Sequence, residues 1–168
     1  GEPRRFDRVV IATHPDQALA LLTAPTDDER RLLGAFAYTA NETVLHTDER
    51  FLPARPRARA SWNYHLASCD TSAQLPTMTY SMNRLQGLTE PKHYCVTLNR
   101  GAEIDPGEVL GRFLYEHPQY TFASLAAQAA LPTLNGPNRT AFAGAYHGHG
   151  FHEDGLTAGL RAAAAIVR

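Results

Sequence analysis

The chain has 168 residues, 16 Lys and Arg against 17 Asp and Glu, and a formal net charge of −1 with a pI near 6.8. Apolar residues make up 43% and charged residues 20%, an ordinary globular composition that excludes wholesale disorder and predicts one domain, or two small ones, with a real core. The even charge balance excludes the broad basic footprint of a nucleic-acid or polybasic membrane binder. No run approaches the roughly 18 apolar residues of a bilayer span. Cys69 and Cys95 make no disulfide framework and no export signal opens the chain, so two reduced thiols in a cytoplasmic protein are expected. The chain opens Gly1-Glu2-Pro3 rather than with Met, and is expected to be part of a longer polypeptide.

Val9-Val10-Ile11-Ala12 is a β-branched run without alternation, which predicts a strand covered on both faces, as in a parallel sheet. Thr13 with Asp16, and Pro15 between them, predicts a capping box opening a helix through Ala18–Leu22. Thr26 with Glu29 predicts a second box and a short helix through Arg30–Leu33, stopped at Gly34. The pattern then changes. Glu42–Thr47, Ala58–Tyr64, Thr77–Met82 and His93–Leu98 are short, β-branched and aromatic, and read as strands of an antiparallel or mixed sheet. Pro53, Pro56, Pro76 and Pro91 punctuate their connections. Asp105-Pro106-Gly107-Glu108 reads as a helix start, Phe113–Tyr115 as extended towards Pro118, and Ser124–Leu131 as helix. A turn at Gly136-Pro137-Asn138 leads to a brief strand, Thr140–Ala143, and a glycine-rich loop, 144–150. A last helix over Leu156–Val167 is expected to pack its Leu156, Leu160, Ala163 and Val167 face on a sheet. The first and last pieces resemble each other more than the middle, and are expected to lie together.

The chemistry concentrates in Phe142–Leu156. Gly144, Gly148 and Gly150 permit close backbone approach to a ligand, and Gly155 stands where the last helix is expected to begin, with bare amides and a partial positive charge. His147-x-His149-x-x-His152-x-Asp154 also offers three imidazoles and a carboxylate, the donor types of a zinc hydrolase, though without the rigid H-E-x-x-H pair. A ligand loop, a metal loop and a plain surface loop all remain open from the residues alone.

The segment Phe142–Ala164, FAGAYHGHGFHEDGLTAGLRAAA, resembles the C-terminal flavin-contacting segment of flavin-containing amine-oxidase-like oxidoreductases. Phe6–His14, FDRVVIATH, is similar to that family's strand returning to the nucleotide-binding domain. Asn41–Asp48, Ala60–His65, Thr79–Leu85, Val96–Asn99 and His117-Pro118 are similar to a bacterial branch that resembles the oxidase-like part of some plant cyclopropane fatty-acid synthases. The resemblance covers nearly the whole chain. It implies FAD as cofactor, an FAD-dependent oxidoreductase activity on an amine or lipid-acyl substrate, and a fold of α+β (α/β) class. In that fold a mixed, mainly antiparallel substrate-domain sheet with helices, residues 26–131, is flanked by parts of a two-dinucleotide-binding FAD domain, residues 1–25 and 132–168. The family's G-x-G-x-x-G fingerprint is absent from the chain, so an N-terminal dinucleotide-binding half is the expected partner. The position of the family's ribityl-holding acid is occupied by Ala145.

The cofactor-binding residues implied are Thr13, His14, Gly144, Ala145, Tyr146, His152, Asp154, Gly155 and Leu156, with no metal. The amides of Gly155 and Leu156 would face the flavin ring; Asp154 is alternatively the helix N-cap, and His14 alternatively a helix cap. Trp62, Asn63, Tyr64 and His149 are the catalytic candidates. Trp62 and Tyr64 share one strand face, with Trp62 alternatively in the core. Asn83 and Arg84 are candidates to meet an anionic group. The rival readings are a metal-dependent hydrolase using His147, His149 and His152, and a non-catalytic folded fragment.

Overall fold

The structure, a computed structural model, describes residues 2–66 and 77–167; Cys69 and Pro76 lie outside them. The fold is α+β, with an antiparallel five-stranded sheet and helices. The chain divides into two compact units, residues 1–39 with 118–168, and residues 40–117.

The first unit holds strand β1 (Val9–Ile11) and strand β7 (Thr140–Phe142), which pair in parallel, Val9 opposite Thr140 and Ile11 opposite Phe142. The two ends of the sequence thus share one sheet. Helix α1 (Pro15–Leu21) follows β1 directly. The capping box expected from Thr13 does not form. His14 takes the N-cap position without a side-chain capping bond, because Pro15 begins the helix one residue later than that box requires. Helix α2 (Asp27–Leu33) carries the complete Thr26–Glu29 box. The core gathers Leu32, Leu33 and Phe36 with Ala127 and Leu131 of the later segment, and with Phe142 and Tyr146.

That core explains why the unit is larger than expected. Boundaries at 25/26 and 131/132 would strip α2 and helix α4 (Phe122–Ala130) from it, yet their buried faces are its walls. A fully buried Leu or Phe contributes roughly 1.5–3 kcal/mol, so the apolar faces decide the boundary.

Helix α5 (His152–Val167) starts at His152, not at Leu156. Its sheet-packing face is Ala158 and Ala162, set against Ala141 and Ala143; small residues allow that approach. The stripe expected to be buried is open instead, Leu156 at 56% and Leu160 at 65% exposed. Val9 and Val10 of β1 are likewise exposed rather than covered on both faces, since β1 and β7 form a sheet of only two strands.

The second unit is built on β2 (Tyr38–His46), β3 (Trp62–His65), β4 (Thr77–Ser81), β5 (Cys95–Leu98) and β6 (Val109–Pro118), ordered β3-β4-β5-β2-β6. Helix α3 (Met82–Gln86) follows β4 and ends on the left-handed Gly87. The helix expected at Asp105 is a single 3-10 turn, Pro106–Glu108, capped by Asp105, after which β6 begins. Gly111 weakens any helical continuation, and Val109, Phe113 and Tyr115 favour a strand.

The inner face of this sheet is unusually polar. His46 is fully buried; its Nδ1 accepts from the Asp48 amide and its Nε2 lies 2.7 Å from the Thr97 hydroxyl, itself 2.9 Å from that of Thr79. The amide bond leaves the proton on Nε2, which donates to the Thr97 hydroxyl, and that hydroxyl shares a further hydrogen bond with Thr79. Burial keeps this imidazole neutral by lowering its pKa. Beside it, Cys95 is a free, buried thiol pushed up to about 11 by burial. Such a thiol is inert. Among the described residues, no helix is long and apolar enough to cross a membrane.

Candidate functional site

The carboxyl ends of β1 and β7 open on one cavity of about 500 Å³. Thr13 and His14 line it from the end of β1, and Gly144, Ala145 and Tyr146 from the end of β7. These are five of the nine residues expected to hold a cofactor. Tyr38, which the sequence did not single out, joins them: its ring stacks on His14 with centroids 4.3 Å apart and planes 14° apart. Gln17, Pro118 and Gly150 complete the polar and apolar lining with Ala12, and among the described residues no Asp, Glu, Lys or Arg takes part.

The β7 side is held by a rigid turn. Phe142 donates its amide to the Asn135 side chain at 2.8 Å, and residues 145–147 then form one 3-10 turn. Gln128 of α4 donates to the carbonyls of Tyr146, at 2.9 Å, and of Gly148, at 2.6 Å. Gln128 was legible only as a lone amide in an Ala-rich helix. The Tyr146 ring packs edge-on to Phe36, 5.4 Å between centroids, and is 4% exposed. A Cβ on Gly144 would sit 2.5 Å from this ring, so the close approach requires glycine.

The other four expected cofactor residues do not line this cavity. The amide of Gly155 donates to the carbonyl of Phe151 at 3.2 Å and is therefore not bare. Leu156 belongs to the second turn of α5 and is exposed; His152 is exposed at its start. Asp154 is not the N-cap: it is the third helical residue, and its carboxylate accepts from the amides of His149 and Phe151, each at 3.0 Å. This reach back satisfies the amides of His149 and Phe151 and starts the helix early. Gly155 serves packing instead, since its Cβ position faces the Ala145 amide at 3.8 Å.

Asp154 faces a second, smaller cleft of about 150 Å³ with His147, Glu153, Thr157 and Arg161. His149 is exposed and contributes only its backbone amide to the loop. Among the described residues, no group of three or more His, Cys, Asp or Glu side chains is placed to hold a metal ion. The rival reading of His147, His149 and His152 as metal ligands therefore finds no converging set, with His147 in a 3-10 turn and His152 at the start of α5.

His147 is the unusual member of this loop. Its Nε2 is buried without a hydrogen-bond partner among the described residues, and desolvation, with the Arg161 charge, lowers its pKa to about 4. An unfolded histidine titrates near 6.5, so between those values the unfolded chain binds a proton that the folded ring refuses. Stability is then fully present above pH 6.5 and declines as pH falls towards 4. His46 acts in the same direction. Glu49 and Glu103, lowered from 4.5, act only below that. The melting temperature should therefore fall between pH 7 and pH 5. His147→Gln should remove part of that slope, about 1–2 kcal/mol once the ring's partial exposure is allowed for. A parallel pH profile in the variant would contradict this assignment.

The catalytic candidates on β3 separate by face. Trp62 and Tyr64 are 53% and 55% exposed, opposite Tyr80 and Met78. Trp62 is thus not a core residue. Asn63 points the other way, and its amide is consumed by the Ala60 backbone and the Thr79 carbonyl. It closes the turn entering β3 and has no donor left for a substrate. Asn83 is spent likewise, on the Lys92 carbonyl and the Tyr94 amide, while Arg84 is exposed.

No protein-family model and no curated protein matches this chain. The site's own geometry therefore carries the functional argument.

Proposed function

We propose that this chain is the C-terminal portion of an FAD-dependent oxidoreductase of the amine-oxidase-like kind, acting on a C–N or C–C bond of an amine or lipid-acyl substrate. The observation that carries the reading is the cavity at the carboxyl ends of the parallel pair β1–β7. Ligands of open α/β sheets bind at that edge, and about 500 Å³ is the size of a small-molecule site. Its uncharged lining suits a planar, carbonyl-bearing heterocycle better than an isolated ion.

Flavin, when bound, supplies the hydride acceptor. The chain's residues seat it: the His14–Tyr38 stack makes a flat wall, and Gly144 lets the Tyr146 ring fold in over the strand end. With Ala145 in place of an acid, contact to the ribityl chain falls to backbone amides or to Tyr146. A dinucleotide-binding half would cover the exposed Val9, Val10, Leu156 and Leu160, since parallel strands are normally buried on both faces. That half would also bring the pyrophosphate cradle.

Accordingly, the natural polypeptide carrying this chain should purify yellow, with FAD released on denaturation, whereas the 168-residue chain alone should not retain it. A colourless polypeptide that fails to take up added FAD would end the reading. Tight FAD binding by the isolated chain would instead overturn the division of the site between two halves.

A further inference from the structure

Tyr146 presents a problem that the fold does not solve. The residue is 4% exposed, and its hydroxyl is buried without a hydrogen-bond partner among the described residues. A buried hydroxyl without a partner is destabilising, and native folds rarely leave one without a reason. The same residue lines the 500 Å³ cavity. We infer that the Tyr146 hydroxyl donates a hydrogen bond to an acceptor oxygen of the group this cavity seats, and so sets that group's position. The inference rests on the flavin reading above, under which the acceptor is an oxygen of the flavin ring or of its ribityl chain.

The phenol is suited to donate. Burial, with Tyr38 nearby, drives its ionisation well above the ordinary tyrosine range, so the proton is retained at any physiological pH. The ring cannot swing to another partner, because Phe36 meets it edge-on and the Gly144 backbone lies beneath it. Among the described residues, no Asp, Glu, Lys or Arg lines the cavity to compete for the acceptor. Tyr146 is thus a positioning residue rather than a catalytic one.

The test compares the natural polypeptide carrying this chain with its Tyr146→Phe variant, apo and reconstituted with FAD. The variant keeps the ring and loses only the hydroxyl. Its FAD dissociation constant should rise about tenfold, with a shifted visible flavin band. Its apo form should melt no lower than the parent, since an unsatisfied group has been removed. Equal FAD affinity and identical spectra would overturn the inference and leave the flavin reading standing. A destabilised apo variant would also overturn it, by showing that the hydroxyl already has a partner in the fold. A parent that takes up no FAD would remove the flavin reading, and this inference with it.

Discussion

Asp154→Ala should destabilise the protein by about 2–4 kcal/mol, through loss of two charge-assisted hydrogen bonds to backbone amides. Both amides, of His149 and Phe151, belong to the bend between the 3-10 turn and α5, and Asp154 Oδ2 is the acceptor for both at 3.0 Å. The carboxylate also lies in the first turn of a 16-residue helix, where negative charge is favoured. Asp154→Asn keeps one carbonyl oxygen and should lose about half as much. The same bend can be broken from the other side. A Cβ on Gly148 would stand 2.2 Å from Asp154 Oδ1 and 2.5 Å from its Cγ, so Gly148→Ala should expel the carboxylate. The two lesions then act on one interaction, and Gly148→Ala with Asp154→Ala should cost clearly less than the sum of the single variants. Chemical denaturation of the four proteins measures this; additive losses would show that Asp154 is not what holds the loop.

Gly144→Ala should cost about 1–3 kcal/mol in stability, the usual penalty of overpacking, and, under the flavin reading proposed above, should weaken FAD retention by the natural polypeptide on the order of tenfold or more. The new methyl would lie 2.5 and 2.7 Å from two carbons of the Tyr146 ring. That ring is buried against Phe36 in the core and borders the cavity, so displacing it disturbs the cavity wall. Gly155→Ala is the matched control. Its Cβ would make ordinary contacts of 3.8 and 4.0 Å with Ala145, and alanine favours a helix interior by up to about 1 kcal/mol. It should therefore be neutral or stabilising and leave FAD retention unchanged. Flavin lost from Gly155→Ala and kept in Gly144→Ala would place the ligand at the start of α5 instead.

Much of the architecture is written locally. Thr26 and Glu29 carry their helix start in two side chains three residues apart, and the structure forms both bonds. The four strand segments between residues 42 and 98 announce themselves by β-branched and aromatic content, and all four pair in one sheet. Half of the candidate site was also legible, in Thr13 and His14 after one strand and Gly144 to Tyr146 after the other. The remainder was misplaced for one reason: a glycine in a loop-like context reads as a boundary, and Gly155 is inside a helix. The signal against that was Asp154 itself, an acid able to cap backwards.

The sequence by itself determined the class of the fold, the start of α2, the segments that form β2 to β5, and the glycine turn on which the site depends, because each follows from the conformational preferences of neighbouring residues. The tertiary structure alone decided that β1 and β7 are partners, that α2 and α4 complete the core beneath them, that Tyr38 stacks on His14, and that three nearby histidines do not meet. Those facts depend on long-range packing, where burying Phe142 and Leu131 outweighs any local preference, and on backbone amides that a distant-looking carboxylate consumes.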